Sequence, residues 1–136
     1  MIYSLYWEGT FDAAHYLPNY EGKCANLHGH TWKVEIRIDM STLPADDGMI
    51  IDFTELKKII SMFDHRILNV CPKHLDTVLR GTQPFLWGFF DNPTAENIAK
   101  EIHLIVKKKL KEIYDSFYRV QVKLYESEHS YAEVSD

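Results

Sequence analysis

Three histidines occupy positions from which β-strands could bring them together. His28 and His30 are two residues apart, so on an extended segment both side chains point to the same face. His15 ends an earlier segment in which Phe11 and Ala13 share its parity. The apolar residues that continue the parity of the pair are Trp32, Val34, Ile36 and Ile38. The sequence therefore predicts three imidazoles at the end of a core-facing row.

Three neutral imidazoles are a donor set typical of a catalytic zinc site, in which the fourth position stays open to water or substrate. A structural site normally closes with a fourth protein ligand, and Cys24, four residues before His28, is the candidate. The same thiol could instead stand beside the metal as a thiolate that handles protons. For any single histidine an ordinary hydrogen bond is the simpler interpretation. The shared parity favours a metal site for the set.

Composition limits the classes of protein that need to be considered. The chain has 136 residues, the size of one domain (1–136), and 46% of them are apolar. A net charge of -5 argues against a nucleic-acid partner. No apolar run approaches the length of a membrane span, and Met1–Thr10 lacks the features of a signal peptide, so we expect a cytoplasmic protein with its two cysteines as free thiols.

Two alternating segments predict the strands that carry the histidines. The first runs over Ile2–Ala14, with an interruption near Glu8–Gly9, and delivers His15 at its end. The second, His28–Met40, alternates cleanly, which indicates one buried and one wet face. The loop between them carries Cys24.

Two helices are predicted next. The first starts from Asp52 as N-cap and ends by about Phe63, directly before Asp64 and His65. The second starts from Thr94 as N-cap. Its apolar stripe comprises Ala99, Ile102, Val106, Leu110 and Ile113. The aromatic segment Cys71–Asp91, between the helices, is expected to pack on the domain or on another subunit.

The chain closes with a strong strand over Arg119–Glu126 and a short one over Tyr131–Val134. Glu126 continues the buried parity, and a carboxylate there is costly unless it is paired, so it is either a site residue or a strand end that has reached solvent. The order ββααββ predicts an α+β fold, a four-stranded antiparallel sheet with both helices on one face.

Five blocks of sequence resemble the 6-pyruvoyltetrahydropterin synthase family, which includes the bacterial 6-carboxytetrahydropterin synthases. The blocks are F-D-A-A-H (11–15), C-A-N-L-H-G-H (24–30), D-H-R-I-L-N (64–69), N-P-T-A-E-N (92–97) and Y-E-S (125–127). They run in the family's order over nearly the whole chain. The spacing of Cys24 and His28 is more similar to that of the carboxy enzymes of queuosine biosynthesis.

The resemblance implies a role for each residue that matches a block. The histidines His15, His28 and His30 match the zinc ligands. Cys24 matches the catalytic thiol, and His65 with Asp64 matches the acid/base partner. Glu126 matches the glutamate that anchors the pterin and is coupled to proton transfer, and Thr94 falls in a block that lines the pterin pocket. Cys71 matches no catalytic position.

The resemblance also implies a substrate and an assembly. The substrate would be 7,8-dihydroneopterin triphosphate, and the products of the carboxy branch 6-carboxy-5,6,7,8-tetrahydropterin, acetaldehyde and triphosphate. The fold would be the tunnelling fold, whose sheets join between subunits, usually in a homohexamer of two trimers. The alternatives are formation of 6-pyruvoyltetrahydropterin by triphosphate elimination, cleavage to 6-hydroxymethyl-dihydropterin, or a non-catalytic zinc- or pterin-binding subunit. The long segment 71–91 leaves the choice of substrate open.

Overall fold

The structure is a computed structural model that describes residues 1–69, 92–115 and 118–136. The described elements, in chain order, are β1 (Tyr3–His15), a short 3-10 helix (Lys23–Ala25), β2 (His28–Met40), α1 (Phe53–Ser61), β3 (Arg66–Ile67), α2 (Ala95–Ile113), β4 (Tyr118–Ser127) and β5 (Ser130–Ser135). The predicted segment Cys71–Asp91 lies outside the described residues.

The strands form one sheet in the order β3-β1-β2-β4-β5. Four strands pair antiparallel, and β3 pairs parallel with Ala13–Ala14 of β1. The prediction of a four-stranded, purely antiparallel sheet was therefore wrong by one short parallel strand. Two residues are too few to show any periodicity, so β3 could not be predicted from the alternation of residue types.

β1 is continuous where the sequence predicted an interruption. Glu8 pairs with Glu35 and Gly9 with Val34, with no shift in register. The glycine has a packing reason instead, because a Cβ at Gly9 would lie 2.4 Å from the nearest ring carbon of Trp7. The missing side chain thus makes room for the indole ring two residues earlier on the same face.

Each helix packs one apolar face, Leu56, Ile59 and Ile60 in α1 and Ile98, Ala99, Ile102, Val106 and Leu110 in α2, into one core with a single face of the sheet. The predicted N-caps are confirmed: Asp52 accepts a hydrogen bond from the Thr54 N–H at 2.8 Å, and Thr94 accepts one from the Asn97 N–H at 3.3 Å. Ile113 was wrongly placed in the core stripe, since it is half exposed at the end of α2. Among the described residues, no helix is long and apolar enough to cross a membrane.

Candidate metal centre

The register of β1 and β2 brings the three histidines together. His15 pairs directly with His28, and Ala13 pairs with His30, so the three imidazoles lie on one face at the ends of adjacent strands. Their ring centroids are 4.6 to 5.1 Å apart. The indole of Trp32 packs edge-on against two of them, at 5.0 and 5.2 Å between centroids, and forms the apolar floor of the cluster.

Backbone carbonyls fix the tautomers of two of the rings. Nδ1 of His15 lies 2.8 Å from the carbonyl oxygen of Pro93, and Nδ1 of His28 lies 2.7 Å from that of Asn26. A carbonyl oxygen can only accept, so each Nδ1 carries a proton and, in the neutral ring, each Nε2 carries a lone pair. The two Nε2 atoms are only 3.1 Å apart. Two lone pairs at that distance repel each other unless a cation lies between them.

The third ring supplies a nitrogen of the same kind. Nε2 of His30 is buried and has no hydrogen-bond partner among the described residues. It lies 2.9 Å from Oε1 of Glu126, but without the alignment of a hydrogen bond. Burial lowers the pKa of His15 and of His30, and outweighs the opposing effect of the Glu126 charge. This shift favours the neutral form of His15 and His30, which is the form that binds metals.

Glu126 reaches the histidines through an irregularity of the sheet. The pairing of β4 with β5 shifts between Tyr125 and Ser127, which is the signature of a β-bulge at Glu126. Bulges redirect side chains next to functional sites. The Glu126 carboxylate is about one-third exposed, and its Oε1 also lies 3.6 Å from Nε2 of His15.

The donor set fits a metal ion of the zinc class. One atom each from His15, His28, His30 and Glu126 lie within 4.8 Å of one another. Two nitrogen ligands of a tetrahedral zinc ion, with bonds of about 2.05 Å, are roughly 3.3 Å apart, close to the 3.1 Å between the facing Nε2 atoms. Imidazole with carboxylate suits zinc better than it suits calcium or magnesium, which prefer oxygen.

Cys24 is not a member of this four-residue group. It lies on the 3-10 helix Lys23–Ala25 in the loop between β1 and β2, partly buried and with a free thiol. The loop is tied to the end of β1 by the N–H of Leu17, which donates to the carbonyl oxygen of Cys24 at 2.8 Å. Of the two roles left open for the thiol, that of a fourth ligand is not supported, because the donor atoms that lie together among the described residues do not include the sulfur of Cys24.

Asp64 and His65 are in side-chain contact just before β3, outside the four-residue group. Oδ2 of Asp64 is 2.8 Å from Nδ1 of His65, and the imidazole is 80% exposed. Asp64 is itself fixed, since its Oδ1 accepts a hydrogen bond from the Asp12 N–H at 2.9 Å, and this bond lowers the pKa of Asp64. The backbone of His65 adopts a φ of 57° and donates its N–H to the carbonyl oxygen of Asp12 at 2.7 Å. The pair therefore presents Nε2 of His65 to solvent.

Thr94 lies beside the histidine cluster. With His15 and Glu126 it lines a cavity of about 240 Å³. The remaining lining residues come from the loop after β1, the first turn of α2 and the start of β5: Leu17, Ala95, Glu96, Ser130, Tyr131 and Ala132. A planar, polar molecule entering this cavity would meet the Glu126 carboxylate and one candidate metal ligand, His15.

A family model described as 6-pyruvoyl tetrahydropterin synthase matches residues 4–136. The chain belongs to this family. It is 34% identical to the 6-carboxy-5,6,7,8-tetrahydropterin synthase of Rickettsia typhi, over 91% of this chain and 94% of the relative. It is 36% identical to the protein of the same name from Haemophilus influenzae, over 70% and 75%.

Solved structures agree in fold. The crystal structure of 6-pyruvoyl tetrahydropterin synthase from Plasmodium vivax superposes with a TM-score of 0.71 at 20% sequence identity, and covers 100% of this chain and 98% of that one. At this level of identity the likeness establishes the α+β fold of the 6-pyruvoyl tetrahydropterin synthase family and nothing finer.

Two features of this pterin synthase family site could not be predicted from the alternation of residues in the strands. The carbonyl oxygens of Pro93 and Asn26 orient His15 and His28, but a backbone acceptor leaves no trace in residue types. The bulge at Glu126 was also missed, because the alternation of β4 reads as regular up to that residue. The N-P-T turn before α2 was the one available signal, since it predicts a fixed chain direction at Pro93.

Proposed function

We propose that this chain is a zinc-dependent 6-carboxy-5,6,7,8-tetrahydropterin synthase of queuosine biosynthesis. It would convert 7,8-dihydroneopterin triphosphate to 6-carboxy-5,6,7,8-tetrahydropterin, acetaldehyde and triphosphate. Relatives of that name align with most of the chain. The structural observation that carries the proposal is the convergence of three imidazoles whose Nε2 atoms face one another and, among the described residues, have no side-chain or backbone N–H or O–H donor directed at them.

His15, His28 and His30 would hold the zinc ion. When bound there, zinc supplies a Lewis acid that polarises the oxygens of the substrate side chain and makes the neighbouring C–H bonds more acidic. The apolar floor formed by Trp32 excludes water from one side of the ligands and fixes their orientation.

Cys24 would act as the general base. Its thiol lies in a loop that a backbone hydrogen bond ties to the end of the strand carrying His15, and a thiolate is a base able to remove a proton from carbon. A partly buried, free thiol suits this role, because a base must reach the substrate and yet be shielded from bulk water.

Asp64 and His65 would move the second proton. Asp64 accepts from Nδ1 of His65, which leaves Nε2 as the atom that exchanges protons. The hydrogen bond from the Asp12 N–H keeps Asp64 ionised, so it can stabilise the imidazolium that forms.

Glu126 would anchor the pterin. The amino-pyrimidine edge of a pterin presents adjacent N–H donors, and a carboxylate can accept two of them in parallel. Glu126 and Thr94 line the same cavity as His15, so a pterin held there would have its side chain directed toward the candidate metal ligands.

The proposal extends to the assembly. Residues 1–136 would form one pterin synthase domain in the cytoplasm, built on the tunnelling fold, with sheets joined between subunits in a hexamer of two trimers. This part is supported by the open side of β1: among the described residues, only Ala13–Ala14 pair with a strand on the side opposite β2. A long unpaired edge is the surface through which sheets join.

The decisive experiment is a product assay. Zinc-loaded protein is incubated with 7,8-dihydroneopterin triphosphate, and acetaldehyde and the pterin products are quantified. We expect stoichiometric acetaldehyde and 6-carboxytetrahydropterin. Release of 6-pyruvoyltetrahydropterin would identify a triphosphate-eliminating enzyme, and release of 6-hydroxymethyl-dihydropterin a side-chain-cleaving one. Absence of turnover on every pterin would favour a non-catalytic binding subunit.

Cysteine variants test the mechanism in the same assay. Cys24→Ala should lower turnover by about 100-fold or more, the usual effect of losing a general base, while zinc content is kept. Cys71→Ala is the matched control and should retain activity. Full activity in Cys24→Ala would contradict the assignment of the base.

A further inference from the structure

The orientation of one candidate metal ligand depends on a short turn before α2. Nδ1 of His15 donates to the carbonyl oxygen of Pro93 at 2.8 Å, and both residues are buried. This bond selects the tautomer in which Nε2 faces the metal position. The direction of the Pro93 carbonyl is therefore a determinant of the site, and proline has no N–H through which its own position could be fixed.

The carbonyl group of Asn92 accepts two hydrogen bonds that stabilise the turn at Pro93. The carbonyl oxygen of Asn92 accepts the Thr94 N–H at 2.9 Å and the side-chain Nδ2 of Asn97 at 2.8 Å. Pro93 lies between the two residues that the first bond joins. Asn97 adds the second bond from inside the helix, since it occupies the third helical position of α2.

Asn97 is engaged twice at this point. Its backbone N–H donates to Oγ1 of the N-cap Thr94, and its side chain donates back to Asn92. The side chain is exposed, so its contribution is the hydrogen bond rather than packing. Asn97 is thus linked to His15 by a series of contacts: a hydrogen bond to Asn92, the peptide bond from Asn92 to Pro93, and the hydrogen bond between Pro93 and His15.

From these contacts we infer that Asn97 is a positioning residue for the metal ligand His15. The inference rests on the proposed function, because it supposes that His15 binds zinc. His28 obtains its own orientation from the carbonyl oxygen of Asn26. Loss of the Asn97 bond should therefore affect His15 and leave His28 unchanged.

Two substitutions remove the donor in different ways. Asn97→Ala deletes the side chain, and alanine is well tolerated in helices. Asn97→Asp keeps the shape but can only accept, and it places a carboxylate in the first turn of a helix, where negative charge is favourable. The aspartate variant should thus remain folded, but its carboxylate and the carbonyl oxygen of Asn92 would both be acceptors and would repel each other. Lys100→Ala, an exposed change one turn later on α2, is the matched control.

The first measurement uses metal-free protein. Nitrogen-15 NMR of the imidazoles reports which ring nitrogen carries the proton. We expect the wild type and Lys100→Ala to show His15 as the Nδ1–H tautomer. Both Asn97 variants should show a mixture for His15 and an unchanged spectrum for His28. An unchanged His15 in both variants would overturn the inference.

The second measurement is zinc affinity by competition with a chelator. Direct partners of metal-ligating histidines typically contribute 10- to 100-fold to affinity, so one step further away we expect a loss of about three- to tenfold. Affinities of both variants within twofold of wild type would contradict the role of Asn97. If wild type binds zinc and forms product in that case, the proposed function stands without this inference. If wild type binds no zinc and forms no product, both fail.

Discussion

At the scale of single residues, the metal-free protein should lose stability on mild acidification. Burial lowers the pKa of His15 and His30, so below about pH 6.5 the unfolded chain binds protons that the folded chain does not yet bind. The free energy of unfolding should therefore fall as the pH drops from 7.5 to 5.5. Chemical denaturation in the presence of a chelator measures this.

The matched variant for that measurement is His30→Asn, which should reduce the dependence on pH. Carboxyl groups with lowered pKa values titrate below this window, and the raised pKa of buried Glu101 acts in the opposite direction in both proteins. Equal pH dependence in the two proteins would show that His30 does not have the environment described.

Glu126 has two possible contributions, as a fourth ligand and as the pterin anchor, and one substitution separates them. Glu126→Gln keeps an oxygen but replaces an acceptor by a donor, so it breaks paired acceptance from the pterin. Charge-assisted hydrogen bonds contribute about 1.5–3 kcal/mol, so the KM for substrate should rise by tenfold or more. Zinc affinity should stay within about threefold. A large loss of zinc affinity with an unchanged KM would show that Glu126 is a metal ligand and not the pterin anchor.

At the scale of elements, alternation and caps were predictable and irregularities were not. β2 has the predicted bounds, His28–Met40, because its apolar face is fully buried and dictates the parity of every residue. Both helix starts follow from side chains that can accept a backbone N–H. The two-residue β3 and the bulge at Glu126 depend on tertiary pairing, which leaves no local pattern.

The two glycines inside strands give a test at this scale. A Cβ at Gly9 would clash with the Trp7 ring at 2.4 Å, whereas at Gly29 its nearest neighbour would be the Ala13 carbonyl oxygen at 3.7 Å, an ordinary contact. Overpacking costs about 1–3 kcal/mol. Because the partly exposed Trp7 ring can turn away at some cost, Gly9→Ala should be less stable than Gly29→Ala by up to that amount in thermal or chemical unfolding. Equal stability would mean that the indole does not occupy the space above Gly9.

The candidate site was predictable to the extent that it follows from strand parity. His15, His28 and His30 lie together as the alternation of two neighbouring strands requires. Their function as ligands stays a prediction. The placement of Cys24 relative to them could not be derived, because its loop has no periodicity. The exposure of His65 follows from a positive φ that residue types alone do not specify.

At the scale of the whole molecule, the edge of β1 on the side opposite β2 should join subunits, since only Ala13–Ala14 pair there with another strand of the described residues. The N–H and carbonyl group of Asp12 point away from β2, toward Asp64 and His65. Because backbone groups in a strand alternate in direction with a period of two, the N–H of Thr10 also points away from β2. Thr10→Pro would remove this donor without touching the pairing with β2. We expect wild type to have the mass of six copies of the 16.0 kDa chain, and the proline variant to be smaller.

Thr10→Val is the control for the assembly, because it keeps the N–H and suits a strand. Light scattering after gel filtration distinguishes the species. A wild-type protein that stays monomeric at micromolar concentration would contradict the proposed hexamer. An unchanged mass in Thr10→Pro would show that the subunits join through a surface other than the edge of β1.

In the proposed site, three imidazoles bind one zinc ion, and Cys24 is not a ligand. X-ray absorption at the zinc edge, on protein loaded with one equivalent of zinc, measures the ligand set. We expect three imidazole nitrogens and one further light atom at about 2.0–2.1 Å, with no sulfur near 2.3 Å. A sulfur ligand, or fewer than three imidazoles, would contradict the proposed site.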